Sequence, residues 1–248
     1  MNVLFVTAHP DDAELYAGGF ICKYGKRCNI NVLVVTDGRV GSEESTDDTV
    51  LMRRKEAEQA SAYGNFRVDF LEYADGEVEN DLKLRNAVIR KIRECKPSVI
   101  ITHKDNDYHP DHRYVSKAVQ DSLVAVYCPK YLPDTEAIDY IPLVLFLWNP
   151  FSLPYAFIND ICIDITAEID RKKELVLCHG SQFCEGAFLN SEVYGKGEEI
   201  YSSLYGNAAV NVGGLKQEKG YAEAFEICQY ITPDQRRERL AELAELLR

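Results

Sequence analysis

Two short stretches gather most of the groups in this 248-residue chain that could do chemistry. The first is His9-Pro10-Asp11-Asp12-Ala13-Glu14; the second is His109-Pro110-Asp111-His112, with Asp105 and Asp107 just ahead of it. They contain three of the chain's five histidines. Imidazoles beside clustered carboxylates are the donor set of a divalent metal. At catalytic sites zinc is held by three His, Asp or Glu side chains, and the fourth position is open to water. Two imidazoles and one carboxylate drawn from the two stretches would meet that count. Helix capping is the plainer reading of an aspartate here, but it accounts for one Asp and not for a His-Pro-Asp-Asp string. Burying paired carboxylates with no cation beside them would be costly.

Each stretch follows a segment that reads as a buried parallel strand. Val3 to Val6 is a short apolar, β-branched and aromatic run halted by Ala-His-Pro, and Val99 to Thr102 is a second such run, followed by His103. In open α/β sheets, ligands bind outside the carboxyl ends of the strands, where successive loops converge. Pro10 fixes its own φ and biases His9 towards extended backbone, so the donors are aimed. Further strands are expected at Asn31–Thr36, Val68–Leu71, Leu143–Trp148 and Ile161–Ile165, the last as an edge or antiparallel addition. Helices are expected over 14–26, 49–62, about 82–95 with Asp81 as cap, 110–126, 168–177 and 233–248. The fold class is α/β with a mainly parallel sheet. Surface excursions are expected near 128–142, rich in proline, and 183–220, where Tyr194, Tyr201 and Tyr205 alternate with glycines. His179, at a helix end, is expected to contact backbone carbonyls there.

Ala8-His9-Pro10-Asp11-Asp12-Ala13-Glu14 with Gly18-Gly19, taken together with His109-Pro110-Asp111-His112, resembles the two signature motifs of the LmbE-like (PIG-L-type) zinc-dependent N-deacetylases. Weaker similarity covers most of the chain: Arg53 to Glu56, Ala74-Asp75-Gly76, Asp164-Ile-Thr166, His179 to Gln182 and Tyr221 to Phe225. The Ala-Glu form of the first motif is nearest the branch of bacillithiol-biosynthesis deacetylases. The resemblance implies a Rossmann-like three-layer sandwich. It implies zinc on His9, Asp12 and His112, with iron as a substitute in the cell. Asp11 is then the general base, and His109, steered by Asp111, the donor to the oxyanion. Arg53 is expected to reach the substrate sugar, with Arg54 one register away as the alternative, and Asp75 to accept from sugar hydroxyls. The substrate implied is a small N-acetylated sugar conjugate of the N-acetylglucosaminyl type. Some relatives carry a tyrosine two residues before His109, where this chain has Asp107.

Composition bounds these expectations. The length suits one domain over 1–248, and 46% hydrophobic residues is ordinary for a protein with a sizeable core. A net charge of −12 and no basic patch exclude nucleic acid and anionic membranes as partners, leaving a small molecule and a second copy of the chain as candidates. No apolar run is long enough to span a bilayer and no leader pattern opens the chain, so a cytoplasmic protein is expected. The eight cysteines include no Cys-x-x-Cys pair and read as reduced core thiols. Two other classes compete with the deacetylase. A metal-dependent phosphoesterase would need a basic residue for phosphate, and only Lys104 and Arg113 lie near the loops. A catalytically silent sugar-binding scaffold would have no use for Asp11.

Overall fold

The computed structural model describes residues 1–183, 220–230 and 233–247. Its sheet has seven strands among the described residues: β1 Asn2–Thr7, β2 Asn29–Thr36, β3 Arg67–Tyr73, β4 Val99–Thr102, β5 Leu143–Leu147, β6 Ile161–Asp164 and β7 Ala222–Ile227. They lie in the order β3-β2-β1-β4-β5-β7-β6. The first five run parallel. β7 is antiparallel to both β5 and β6, which makes β6 the expected edge strand. Val3–Val6 of β1 and Val99–Ile101 of β4 are wholly apolar and buried because both faces of a central parallel strand are covered.

The helices are α1 Asp12–Tyr24, α2 Thr46–Gly64, α3 Leu82–Cys95, α4 Pro110–Ser122, α5 Ile169–Leu177, α6 Gly180–Phe183 and α7 Pro233–Leu247. Val3, Phe5, Val32 and Ile101 face one core with Phe20 of α1, Ala60 of α2, Leu175 of α5 and Leu243 and Leu246 of α7. Leu4, Val6, Leu33 and Ile100 face the other with Val88 of α3 and Val119 of α4. The result is the three-layer α/β sandwich that the resemblance implied, around the mainly parallel sheet expected from the strand and helix pattern. The expected elements are present with boundaries shifted by a few residues: α2 is longer at its amino end, capped by Ser45, and α4 stops at Ser122. Asp81 caps α3 by accepting from the Leu84 N–H at 2.7 Å. The described cysteines are all free. No described helix is long and apolar enough to cross a membrane.

Two devices tie distant segments to this frame. Residues 128–142 loop outward as expected, but buried Arg93 of α3 holds the segment by donating to the carbonyls of Val126, Cys128, Tyr131 and Leu132. α1 is interrupted at Ala17, whose φ of −140° is not helical. The break frees the N–H groups of Gly19 and Phe20, and both donate to the Glu223 carboxylate of β7, at 2.8 and 2.7 Å. Glu223 is also paired at 2.5 Å with buried Lys172 of α5. Gly19 is required there because a Cβ would lie 2.6 Å from the Ile165 side chain. Most of 183–220, with Tyr194, Tyr201, Tyr205 and Cys184, lies outside the described residues.

Candidate metal centre

β1 and β4 are hydrogen-bonded neighbours, so the loops that leave their carboxyl ends emerge side by side. The first turns through Ala8-His9-Pro10-Asp11 into α1; the second ends with His109 as the cap of α4, Pro110 taking the first helical position where no N–H is needed. This brings three donors together. His9 Nδ1 lies 3.1 Å from His112 Nε2 and 3.4 Å from Asp12 Oδ2, while His112 Nε2 lies 3.4 Å from Asp12 Oδ1. Tetrahedral zinc with arms of roughly 2.0–2.1 Å puts neighbouring donor atoms roughly 3.3–3.4 Å apart; these edges are of that order, the two Asp12 edges running to different carboxylate oxygens.

Carboxylates stand behind both imidazoles. His9 Nε2 is 3.1 Å from Asp75 Oδ1 and 3.5 Å from Asp111 Oδ2, and His112 Nδ1 is 3.1 Å from Asp107 Oδ1. These are ion-pair contacts without good hydrogen-bond angles, and His9 Nε2, Asp75 Oδ1 and His112 Nδ1 have no competing hydrogen bond among the described residues. A carboxylate on the far nitrogen fixes the tautomer and the plane of a ligating histidine and makes it more basic. Two expectations are corrected here. Asp75, buried at 5% exposure, lies against His9 and is not open to a sugar. Asp111 hydrogen-bonds His109 through its backbone N–H, and its carboxylate accepts from the Gly76 and Val78 N–H groups, at 2.7 and 3.3 Å, and contacts His9.

The charges follow from this packing. Burial disfavours a charged His9, but Asp12 and the contacts with Asp111 and Asp75 outweigh it and lift its pKa well above the ordinary histidine value. His112 is likewise buried, and Asp12 and Asp107 raise its pKa. Burial acts to raise the Asp12 pKa, yet His112, His103 and His9 hold it well below the carboxylate range. Metal must displace the protons of both raised imidazoles. Zinc affinity is therefore expected to strengthen as pH rises from about 6 to 8, by up to roughly a hundredfold per unit while both protons are displaced. Chelator competition at several pH values, with proton release on binding, measures this; a flat affinity would show that His9 and His112 are not both ligands.

Asp11 sits beside the donors without joining them. It occupies the α1 cap position but makes no capping hydrogen bond, and its Oδ2 lies 2.9 Å from an Arg53 guanidinium nitrogen. Capping therefore does not explain the residue. Arg53 is buried, and a Cβ on Gly41 would lie 2.4 Å from its guanidinium, so glycine lets that loop close over it. Arg54 points outward to Glu72 at 2.9 Å. Of the two, Arg53 is the arginine in the site, although its partner there is Asp11. His109 Nδ1 accepts from the Asp111 N–H at 3.2 Å, which puts the proton of the neutral ring on Nε2. Burial, with His9 and His112 nearby, lowers its pKa and keeps that ring neutral.

His179 departs from expectation. It is fully buried with Nε2 3.5 Å from Glu14 Oε1, and neither ring nitrogen contacts a helix-end carbonyl. Asp107 and His103 were not assigned site roles from sequence. Asp107 was visible as a departure from a tyrosine position, and Tyr108 next to it sets its exposed ring edge-on to His109 with centroids 5.7 Å apart. His103 was visible only as the residue that ends a strand. Lys104 is taken by Glu226 and the Ala156 carbonyl, and Arg113 by the carbonyls of Asp107 and Tyr108. Neither offers a cation to a phosphate.

Part of this chain and its described fold have counterparts among known proteins. Residues 4–123, which contain both histidine-aspartate stretches, match the PIG-L family model, described as GlcNAc-PI de-N-acetylase. A similar protein is the 1D-myo-inositol 2-acetamido-2-deoxy-alpha-D-glucopyranoside deacetylase 2 of Saccharopolyspora erythraea, 26% identical over 190 residues, covering 64% of this chain and 68% of that one. Among solved structures, the fold is shared with the N,N'-diacetylchitobiose deacetylase of Pyrococcus horikoshii (TM-score 0.78, 22% identity, 93% of this chain and 86% of that chain). It is also shared with GalB, the 4-carboxy-2-hydroxymuconate hydratase of Pseudomonas putida KT2440 (TM-score 0.74, 21% identity, 92% of this chain and 96% of that chain). The fold thus hosts more than one reaction. Through the segment that builds the metal centre, residues 4–123, the chain matches the PIG-L family model.

Proposed function

We propose that this protein is a zinc-dependent N-deacetylase that hydrolyses the acetamide of a small N-acetylated sugar conjugate of the N-acetylglucosaminyl type. The observation that carries the reading is the triangle of His9 Nδ1, Asp12 and His112 Nε2, with edges of 3.1–3.4 Å and carboxylates behind both imidazoles. Zinc held there supplies Lewis acidity, which polarises an acyl carbonyl and acidifies water. The chain's own groups do the proton work. Asp11, oriented by Arg53, takes the proton of the attacking water and later returns it to the departing amine nitrogen. His109, with its proton on Nε2, donates to the oxygen of the tetrahedral carbon. One water is consumed, the C–N bond breaks, and acetate and a free amine result.

The sugar specificity rests on relatives whose names include such deacetylases, and the hydratase sharing the fold makes the donor set, not the fold, the basis of the reaction. A phosphoesterase is disfavoured because Lys104, Arg113 and Arg53 all have partners. The test is joint measurement of zinc content and acetate release on a panel of N-acetylglucosamine conjugates. About one zinc per chain with acetate from at least one conjugate is expected. Zinc without acetate would make the substrate class wrong, and a chain that takes up no zinc would overturn the centre itself.

A further inference from the structure

His103 has no place in the chemistry above, yet it is 1% exposed and touches two of the three donors. It follows β4 directly, as Ala8 follows β1, and its Nε2 accepts from the Ala8 N–H at 3.0 Å. That bond crosses from one signature loop to the other. The same nitrogen lies 3.1 Å from Asp12 Oδ2, and the ring stacks on His112 with centroids 3.8 Å apart and planes 6° from parallel. His103 does not suit a ligand role alongside His112. Two parallel rings 3.8 Å apart send their in-plane lone pairs along parallel lines, and these cannot meet at one ion about 2 Å from each.

We propose that His103 is a positioning residue for the metal centre: anchored on the Ala8 N–H, its ring fixes the plane of His112 beside the Asp12 carboxylate. Asp12 Oδ2 accepts from the His9 N–H at 2.6 Å and is flanked by His103, so Oδ1 is the oxygen left turned to His112. Oδ1 is thereby the Asp12 oxygen offered to a metal beside His112, set before the metal arrives. Ligand-orienting partners of this kind are worth roughly 10–100-fold in metal affinity.

This inference rests on the zinc reading, and two variants separate it from plain packing. His103→Phe keeps a flat ring for the stack and loses the acceptor; His103→Gln keeps an acceptor for the Ala8 N–H and loses the stack. Zinc Kd is measured by chelator competition, metal-free thermal stability in parallel, and kcat and KM after reconstitution at saturating zinc. Each variant is expected to weaken zinc roughly 10–100-fold, with a smaller loss of metal-free stability, an unchanged KM and a lowered kcat. Zinc affinities within twofold of wild type in both variants would overturn the role of His103 and leave the centre standing. So would weakening that merely follows an equal loss of metal-free stability. A wild type that binds no zinc would overturn the centre, and this role with it.

Discussion

Replacing Asp11 by asparagine is expected to leave about one zinc per chain in place and to lower kcat by roughly 10²–10⁴-fold. The donor triangle contains His9, Asp12 and His112, and the only ion pair of Asp11 among the described residues is with Arg53. Asparagine keeps the shape and can still accept from the guanidinium, but it cannot take a proton. Zinc analysis, thermal shift and acetate release on one preparation separate the outcomes. Activity within a few-fold of wild type would remove Asp11 as the base. Loss of zinc would instead make it a ligand and require the triangle to be redrawn. Arg53, left buried without a countercharge, is expected to reduce stability modestly in the same variant.

The second large effect is on the fold. Glu223→Ala is expected to destabilise the protein by about 3–5 kcal/mol, because it removes the carboxylate paired with buried Lys172, 1% exposed, and leaves the Gly19 and Phe20 N–H groups without their acceptor. For a chain of this size that is a Tm lowered by roughly 10 °C or more. Burial already pulls the Lys172 pKa below the usual lysine value, and Glu223 opposes that pull, so deletion of the carboxylate removes what keeps the ammonium tolerable. The pair Lys172→Met with Glu223→Leu is expected to recover part of the loss and not all, since the two backbone donors stay unsatisfied. A single variant that unfolds within 1 kcal/mol of wild type would show that water reaches this site.

The parts that could be read from the chain share a physical basis. Val3–Val6 and Val99–Thr102 are continuous apolar runs because their strands are covered on both faces, and the His-Pro-Asp stretches must then sit at the carboxyl end of the sheet. That Asp11, His9, Asp12 and His112 come together followed from motif and position together. What was misread depends on where side chains turn inside a packed site. Asp75 and Asp111 carry the right group at the right end of the sheet, but spacing cannot say whether a carboxylate faces a ligand or backs a histidine. Arg53 and Arg54 differ by 100° around one helix, and only the closure of the Gly38–Gly41 loop decides which is inside. His103 and His179 were isolated histidines, and their neighbours Ala8, Asp12 and Glu14 are remote in sequence.

The break in α1 bears on the order in which the chain is made. The Gly19 N–H that Glu223 satisfies belongs to a residue 204 positions earlier. A ribosome adding roughly 5–20 residues per second reaches that carboxylate about 10–40 s after the glycine. Until then the helix that follows the first metal-binding loop has open donors at its centre, and the first half of the sheet must wait, incomplete, for the last strand. A fragment stopping after α4 would contain every proposed zinc donor and still lack the carboxylate that finishes the helix beside them.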